Sequence, residues 1–103
     1  MIEVAGTTSV DDQGHIYGGN NAYKQTIYIL EKIKTYLEKA GATLEDVVRT
    51  RMYVTDISQW EAIGEAHGEF FKHIKPAATM VEVNNLISPE LLVEIEVTAI
   101  ISD

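Results

Sequence analysis

Two runs near the C-terminus alternate apolar and polar residues, and this alternation constrains the fold more than any other feature of the chain. The runs are Thr79–Val83 and Leu92–Ile101. Successive side chains of a β-strand point to opposite faces, so each run predicts a strand with one apolar and one polar face. In the second strand the apolar face consists of Val93, Ile95 and Val97. The polar face consists of Glu94, Glu96 and Thr98. In the first strand we expect the valines, Val81 and Val83, to face opposite to Ala78, Met80 and Glu82.

Other patterns predict two more strands and two helices. Strands are expected at Ile2–Val10 and Val47–Val54, with a short return strand at His15–Tyr17 after the turn residues Asp11–Gly14. Apolar residues at helical spacing predict helices over Ala22–Ala40 and from Ser58 to about Lys72. The apolar stripes are Ala22, Thr26, Ile29, Leu30, Ile33, Leu37 and Ala40 in the first helix, and Trp60, Ile63, His67, Phe70 and Phe71 in the second.

Local signals mark where the helices begin and end. The loop 18–21 can supply an N-cap to the first helix, and Gly41 stands where a left-handed C-cap is expected. Ser58 and Glu61 have the spacing of a capping box for the second helix. Pro76 then prevents that helix from continuing.

The order of elements predicts one α+β domain over residues 1–103, with both helices on one face of a single mixed sheet. In the strand Val47–Val54, Val48 and Met52 are expected to face the helices, while Arg49, Arg51 and Tyr53 face away. Val81 and Val83 are expected on the helix side as well, with Met80 and Glu82 on the open face. The open face would then combine these polar residues with the glutamates of the last strand. It could face water, as in many antiparallel sheets, or pack against other subunits. The pattern alone leaves both possibilities open.

Composition limits the functional classes. The chain has 16 acidic and 8 basic residues and a net charge of −8. This charge has the wrong sign for a general nucleic-acid-binding protein, because such proteins use lysine and arginine to neutralise the phosphates. No run of about 20 apolar residues predicts a membrane span. The N-terminus lacks the basic start of a signal peptide, and there is no cysteine, so we expect a cytoplasmic protein.

Four segments together resemble a known family. They are Asp46–Asp56 (DVVRTRMYVTD), Gly68–Phe71 (GEFF), Pro76–Val83 (PAATMVEV) and Leu92–Glu96 (LVEIE), and Gln25-Thr26 fits the first family helix. On these motifs the chain is similar to the Rid family, the YjgF-like reactive intermediate deaminases also described as endoribonuclease L-PSP. The resemblance runs from about residue 2 to the end of the chain.

The resemblance implies a chorismate-mutase-like α+β fold and a homotrimer whose sheets form a central β-barrel. It implies ligand clefts between neighbouring subunits, which would make the open sheet face a subunit interface. It also implies hydrolysis of reactive imines and enamines to 2-keto acids and ammonia, with no metal or organic cofactor. The family segment before the first strand, which carries a pocket tyrosine, has no counterpart ahead of Ile2 in this sequence.

At one position the chain departs from the family where chemistry is expected. Active members carry Pro-Ala-Arg followed by Ser or Thr, and the arginine binds the substrate carboxylate as a bidentate guanidinium. Here the arginine position is Ala78, Thr79 follows it, and Met80 replaces a frequent cysteine. A methyl group cannot bind a carboxylate.

Two expected site residues remain on the family pattern. Glu94 matches the glutamate that orients or activates water, and Gly6 matches a glycine whose backbone lines the pocket. A sheet-face carboxylate paired with an arginine is the alternative for Glu94, and close strand packing is the alternative for Gly6.

Arg51 is a candidate replacement for the missing cation, because alternation places it on the same predicted sheet face as Ala78 and Glu94. A salt bridge between Arg51 and a glutamate at the interface is the alternative. The histidines lack metal-ligand spacing, and His67, on the helix stripe, is expected to be a packed, hydrogen-bonded side chain.

Two functions follow as hypotheses. One is a Rid-type hydrolase acting on an imine, an enamine or a related small acid, with an altered substrate range. The other is a trimer that binds a small molecule at its subunit interfaces and has lost the chemistry. A ribonuclease role would rest on the family description alone.

Overall fold

The computed structural model describes residues 1–101, which form a mixed four-stranded sheet with two helices packed on one face. The expected α+β, chorismate-mutase-like fold is confirmed. The strands and helices follow in the order β1 (Ile2–Thr8), α1 (Ala22–Lys39), β2 (Val47–Val54), α2 (Trp60–Phe71), β3 (Ala77–Glu82) and β4 (Val93–Ala99). The spatial order of the strands is β1-β4-β2-β3. The β1–β4 and β4–β2 pairs are antiparallel, and the β2–β3 pair is parallel.

Helix α1 has the ends that the sequence predicts. The Asn21 side chain accepts a hydrogen bond from the Lys24 N–H at 2.9 Å, which satisfies one of the free donors of the first turn. At the other end Gly41 has a φ of 87°, and the Ala42 N–H returns to the Leu37 carbonyl at 2.8 Å. The predicted stripe is buried except for Ala40, and it also includes the fully buried Gln25.

The two faces of β3 are the reverse of the prediction. Parallel pairing sets Met80 beside Met52, which is 4% exposed in the core, and sets Val81 beside Tyr53 on the open face. Ala78, Met80 and Glu82 therefore lie on the helix side, and Val81 is 40% exposed. The prediction was wrong because it relied on hydrophobicity, which favours the valines in the core. The register with β2, not hydrophobicity, decides which face of β3 is buried.

Strand β2 contains an irregularity that exposes one residue predicted to lie in the core. Its register with β4 shifts between Val47 and Arg49, as at a β-bulge. Val47 is buried, and Val48 is 43% exposed instead of facing the helices. From Thr50 onwards the predicted alternation holds, with Thr50, Met52 and Val54 buried.

The start of α2 differs from the predicted capping box. Ser58 does not cap α2; instead Asp56 caps the 3-10 turn that precedes it, accepting hydrogen bonds from the Ser58 N–H at 3.0 Å and the Ser58 hydroxyl at 2.6 Å. A 3-10 turn over Ile57–Gln59 precedes the helix, which begins at Trp60. Because of this start, Trp60 is 56% exposed rather than part of the buried stripe.

The remaining differences are at element ends. The expected return strand at His15–Tyr17 is reduced to an isolated bridge between Val10 and Ile16. The turn before it forms as predicted, with Asp11 accepting from the Gln13 and His15 N–H groups at 2.9 Å each. Within residues 1–101, neither helix combines the length and apolarity needed to cross a membrane.

Candidate functional site

The open face of the sheet carries most of the polar residues that the sequence singled out. β4 contributes Glu94, Glu96 and Thr98, β2 contributes Arg49, Arg51 and Tyr53, and β3 contributes Ala77, Thr79 and Val81. Most of these side chains are half-buried or exposed in the single chain. The helices lie on the other side of the sheet, so in the described part of the chain this face is uncovered.

Glu96 is the carboxylate of this face that is paired with β2. Its Oε1 accepts a hydrogen bond from the Tyr53 hydroxyl at 2.8 Å and lies 3.5 Å from Nη1 of Arg51. The hydrogen bond to Glu96 is the largest cause of a raised pKa at Tyr53, and desolvation adds to it. The phenol therefore stays protonated, and the three side chains form a neutralised network that joins β2 to β4.

Glu94 lies two residues away on the same face and has different surroundings. Among residues 1–101, its carboxylate has no hydrogen-bond or ion-pair partner within bonding distance. It lies directly over Gly6 of β1: a Cβ built on Gly6 would collide with Oε2 of Glu94 and lie 2.8 Å from its Cδ. A side chain at position 6 would therefore displace the carboxylate. The two expected site residues, Gly6 and Glu94, are thus in contact.

A local change in β1 brings Gly6 to Glu94. The register with β4 shifts between Val4 and Thr7, which leaves Ala5 and Gly6 outside the regular pairing. After the shift Thr7 pairs with Ile95 and is 7% exposed. The bulge therefore lets the backbone of Gly6 approach the carboxylate while the strand stays in the sheet.

Ala78, Thr79 and Met80 divide between the two faces of the edge strand. Ala78 pairs with Thr50 on the helix side, whereas Thr79 pairs with Arg51 on the open face. Arg51 and Ala78 thus lie on opposite faces, and the prediction that they share one was wrong. It failed because it depended on the inverted assignment of β3. The Arg51 guanidinium lies by Glu96 instead.

Sequence reasoning missed a polar pair on the helix side of β2. Thr50 is fully buried, and its Oγ1 lies 2.9 Å from Nε2 of His67 on α2. The imidazole also packs against the Phe71 ring, with a centroid separation of 4.7 Å. Burial lowers the pKa of His67, so the neutral ring is favoured. The predicted packed histidine is confirmed, but its partner depends on a contact between α2 and β2 that spacing along the chain does not reveal.

The described residues offer no ready metal site. Within residues 1–101 there is no group of three or more His, Asp or Glu side chains placed to hold an ion. The open face combines a carboxylate at Glu94, beside the exposed backbone of Gly6, with the neutralised network of Arg51, Glu96 and Tyr53.

Comparison with known proteins places this fold in a family. The family model described as Endoribonuclease L-PSP matches residues 1–101. A RutC family protein of Saccharolobus solfataricus is 36% identical over 99 residues, which cover 96% of this chain and 78% of that protein.

Solved structures agree. A member of the YjgF/YER057c/UK114 family from Mycobacterium tuberculosis has a TM-score of 0.86 and 49% identity, covering 96% of this chain and 77% of that one. A protein of the Rid family from Yersinia pestis has a TM-score of 0.88 and 38% identity, covering 97% and 77%. The chain therefore belongs to the Rid (YjgF-like, endoribonuclease L-PSP) family.

Proposed function

We propose that this protein hydrolyses a reactive imine or enamine, or a related small molecule, with Glu94 orienting the attacking water. The observation that carries the proposal is the contrast between two glutamates of one strand. Glu96 is neutralised by Arg51 and Tyr53, whereas Glu94 has no side-chain partner within residues 1–101 and adjoins the bare backbone of Gly6. A carboxylate that is free to accept a proton from water is what general-base hydrolysis requires.

The proposed reaction needs few parts. Water adds to the carbon of the protonated C=N bond and loses a proton to the Glu94 carboxylate, which gives a neutral carbinolamine. Glu94 returns that proton to the amino group. The C–N bond then breaks, ammonia leaves, and the hydroxyl group loses its proton to ammonia or solvent as the C=O bond forms. Atoms and charges balance without an oxidant, a metal or an organic cofactor. An enamine enters the same sequence after it tautomerises to the imine.

We further propose that the active form is a homotrimer in which the open sheet faces meet and the ligand clefts lie between subunits. The open face supports this arrangement because it carries both charges and exposed apolar area, with Val81 40% and Val48 43% exposed. The same face would bury Glu94 near a subunit boundary. A nucleic-acid substrate is disfavoured, since the chain has a net charge of −8.

A second candidate is a trimer that binds a small molecule without chemistry. The observation that favours it is Ala78, which supplies no cation where active relatives are expected to carry an arginine. The two candidates share the cleft and differ in whether bond cleavage occurs.

The test separates the water-orienting role of Glu94 from the choice of substrate. Freshly generated 2-iminopropanoate is given to the wild type, to Ala78→Arg, and to Ala78→Arg combined with Glu94→Gln or Glu96→Gln. Restoring the arginine is expected to raise release of pyruvate and ammonia. Glu94→Gln is expected to lower that rate by about 100-fold or more, within the range for general-base catalysis.

Glu96→Gln is the matched control, because the amide can still accept from Tyr53 and the strand and face are the same. It should keep the rate of its parent within about threefold. Equal losses in the two glutamine variants would refute the assignment to Glu94. No turnover by any variant would favour the non-catalytic candidate.

A further inference from the structure

The end of β1 is held by a lysine of α1. β1 lies at the edge of the sheet, with β4 as its neighbour in the strand order. Nζ of Lys32 donates to the Thr8 carbonyl at 2.8 Å and to the Val10 carbonyl at 2.7 Å. Within residues 1–101, Lys32 is the α1 residue whose side chain hydrogen-bonds the segment 1–14.

These hydrogen bonds are made by a lysine that has left part of its water. The side chain of Lys32 is half-buried, and this burial lowers its pKa, while the charges of Asp12 and Asp11 raise it in part. In the described part of the chain, the ammonium forms no ion pair with either aspartate. A charged group that leaves water needs hydrogen bonds in its place, and the two carbonyls supply them. Lys32 therefore belongs to the fold of this corner rather than to the solvated surface of α1.

Thr8 connects Lys32 to the candidate site. In the β1–β4 pairing Thr8 stands opposite Glu94, and Gly6, two residues earlier, lies under the carboxylate of Glu94. The bulge leaves Gly6 outside the regular pairing, so its position depends on how firmly the strand is held on either side of the bulge. On the C-terminal side, that support comes from the pairing with β4 and from Lys32.

The rest of the strand has open space beside it. A groove of about 500 Å³ is lined by Ile2–Thr8 and, on its other wall, by Lys32, Tyr36 and Ala40 of α1. Within residues 1–101, β4 is the strand that pairs with β1. A strand that is paired on one side only opens more readily than a central strand. The two bonds from Lys32 are thus support that the end of β1 gains from outside the sheet.

We propose that Lys32 is a positioning residue for Glu94. By holding the carbonyls of Thr8 and Val10, it fixes the end of β1 and keeps Gly6 under the carboxylate that orients the water. This inference rests on the proposed hydrolase function and adds to it a residue that acts through Glu94 and does not touch the substrate.

A double-mutant cycle tests this role with 2-iminopropanoate in the Ala78→Arg background. Lys32→Met keeps the length of the side chain and removes its donors. It is expected to lower kcat by about 10-fold, because small displacements of catalytic groups are costly. KM should change by less than about twofold, since Lys32 does not touch the substrate. Lys32→Arg keeps donors for both carbonyls and should retain at least about half of the rate.

The second half of the cycle separates positioning from a general loss of structure. In a protein that also carries Glu94→Gln, Lys32→Met should lower the remaining rate by no more than about twofold, because the group that it positions is gone. An equal loss with and without Glu94 would overturn the proposal. Lys34→Met is the matched control, since Lys34 is exposed on the same helix, and it should leave kcat unchanged.

NMR gives a readout that does not need turnover. In Lys32→Met, amide hydrogen exchange at residues 6–8 should be at least about 10-fold faster, whereas exchange in α2 should change by less than about twofold. The Cδ resonance of Glu94 should shift, and that of Glu96, on the same strand, should not. If these changes appear and no variant hydrolyses an imine, the positioning role stands and the hydrolase function fails. If turnover depends on Glu94 and neither kcat nor the Glu94 resonance responds to Lys32→Met, the hydrolase function stands and this inference fails.

Far-UV circular dichroism checks that each variant is folded. If Lys32→Met does not fold, Lys32→Gln takes its place, because the amide keeps a donor on a chain too short to hold both carbonyls. The same outcomes at residues 6–8 and at Glu94 then decide the proposal.

Discussion

Glu94 and Glu96 occupy equivalent positions on one strand, and their neighbours give them different chemistry. Glu96 meets a phenol and a guanidinium from β2, whereas Glu94 meets the backbone of Gly6 from β1. Each ionised carboxylate oxygen can accept more than one hydrogen bond. Within residues 1–101, that capacity is used by side chains at Glu96 and left for water or a ligand at Glu94.

Gly6→Ala tests whether the contact with Glu94 matters for function. The added methyl group would collide with the carboxylate, so Glu94 must turn away from its position over β1. We expect turnover of the preferred imine to fall by about 10-fold or more while the free energy of unfolding falls by only about 1 kcal/mol, because the side-chain end can move. Steady-state kinetics and urea unfolding measure the two effects.

The control is Gly64→Ala, at a helical glycine where an added Cβ would meet nothing within 4 Å. It should leave kcat/KM unchanged and stabilise the fold by about 0.5–1 kcal/mol, the difference between alanine and glycine in a helix interior. If Gly6→Ala kept full activity, the position of Glu94 over Gly6 would not be required for the reaction.

Among the elements, α1 and the start of β4 are joined by one buried amide. The Gln25 side chain donates to the Gly19 carbonyl at 2.8 Å and the Glu90 carbonyl at 3.0 Å, and it accepts from the Leu92 N–H at 2.9 Å. Gln25 is fully buried, so its loss would leave a cavity as well as three backbone groups without this partner. Gln25 thereby fixes the loop that leads into β4, up to Leu92.

Gln25→Ala should reduce the free energy of unfolding by about 2–4 kcal/mol, because it leaves a cavity and removes the hydrogen-bond partner of three backbone groups. Gln25→Glu has the same shape but loses donors, so it should destabilise more at pH 7 than at pH 5, where a protonated carboxyl can still donate one bond. Urea unfolding at the two pH values measures this difference in stability.

The control is Lys24→Ala, because Lys24 is exposed on the same helix. This substitution should change the free energy of unfolding by less than about 0.5 kcal/mol. Equal effects at positions 24 and 25 would contradict the role given to Gln25.

Strand β3 illustrates how pairing overrides local pattern. Its sequence places two valines on one face, but parallel pairing with β2 turns the partly buried Met80 toward the core and exposes Val81. Methionine is long and flexible enough to fill the space beside Met52. The same register separates Ala78 from Arg51 and places it beside Thr50, on the side of His67.

For the whole molecule, Val81 provides a test of the proposal that the open face is a trimer interface. Val81→Arg adds a charge to the face and should convert trimers to monomers at micromolar concentration, as measured by sedimentation velocity. Tyr36→Arg is the control, since Tyr36 is similarly exposed, at 43% against 40%, but lies on helix α1. It should leave the sedimentation coefficient unchanged. A Val81→Arg protein that sediments like the wild type would argue against an interface on this face.

By itself, the sequence determined the presence of the two helices and the four strands of the sheet, the caps of α1, the two faces of β4 and the family, because each depends on patterns within short stretches of chain. Gly6 and Glu94 were also expected from family motifs. The tertiary structure alone decided that Gly6 touches Glu94, that Arg51 pairs with Glu96, and that Ala78 shares its face with Thr50 rather than with Arg51. These relations depend on strand register and on bulges, where a shift of one residue exchanges the faces of a strand.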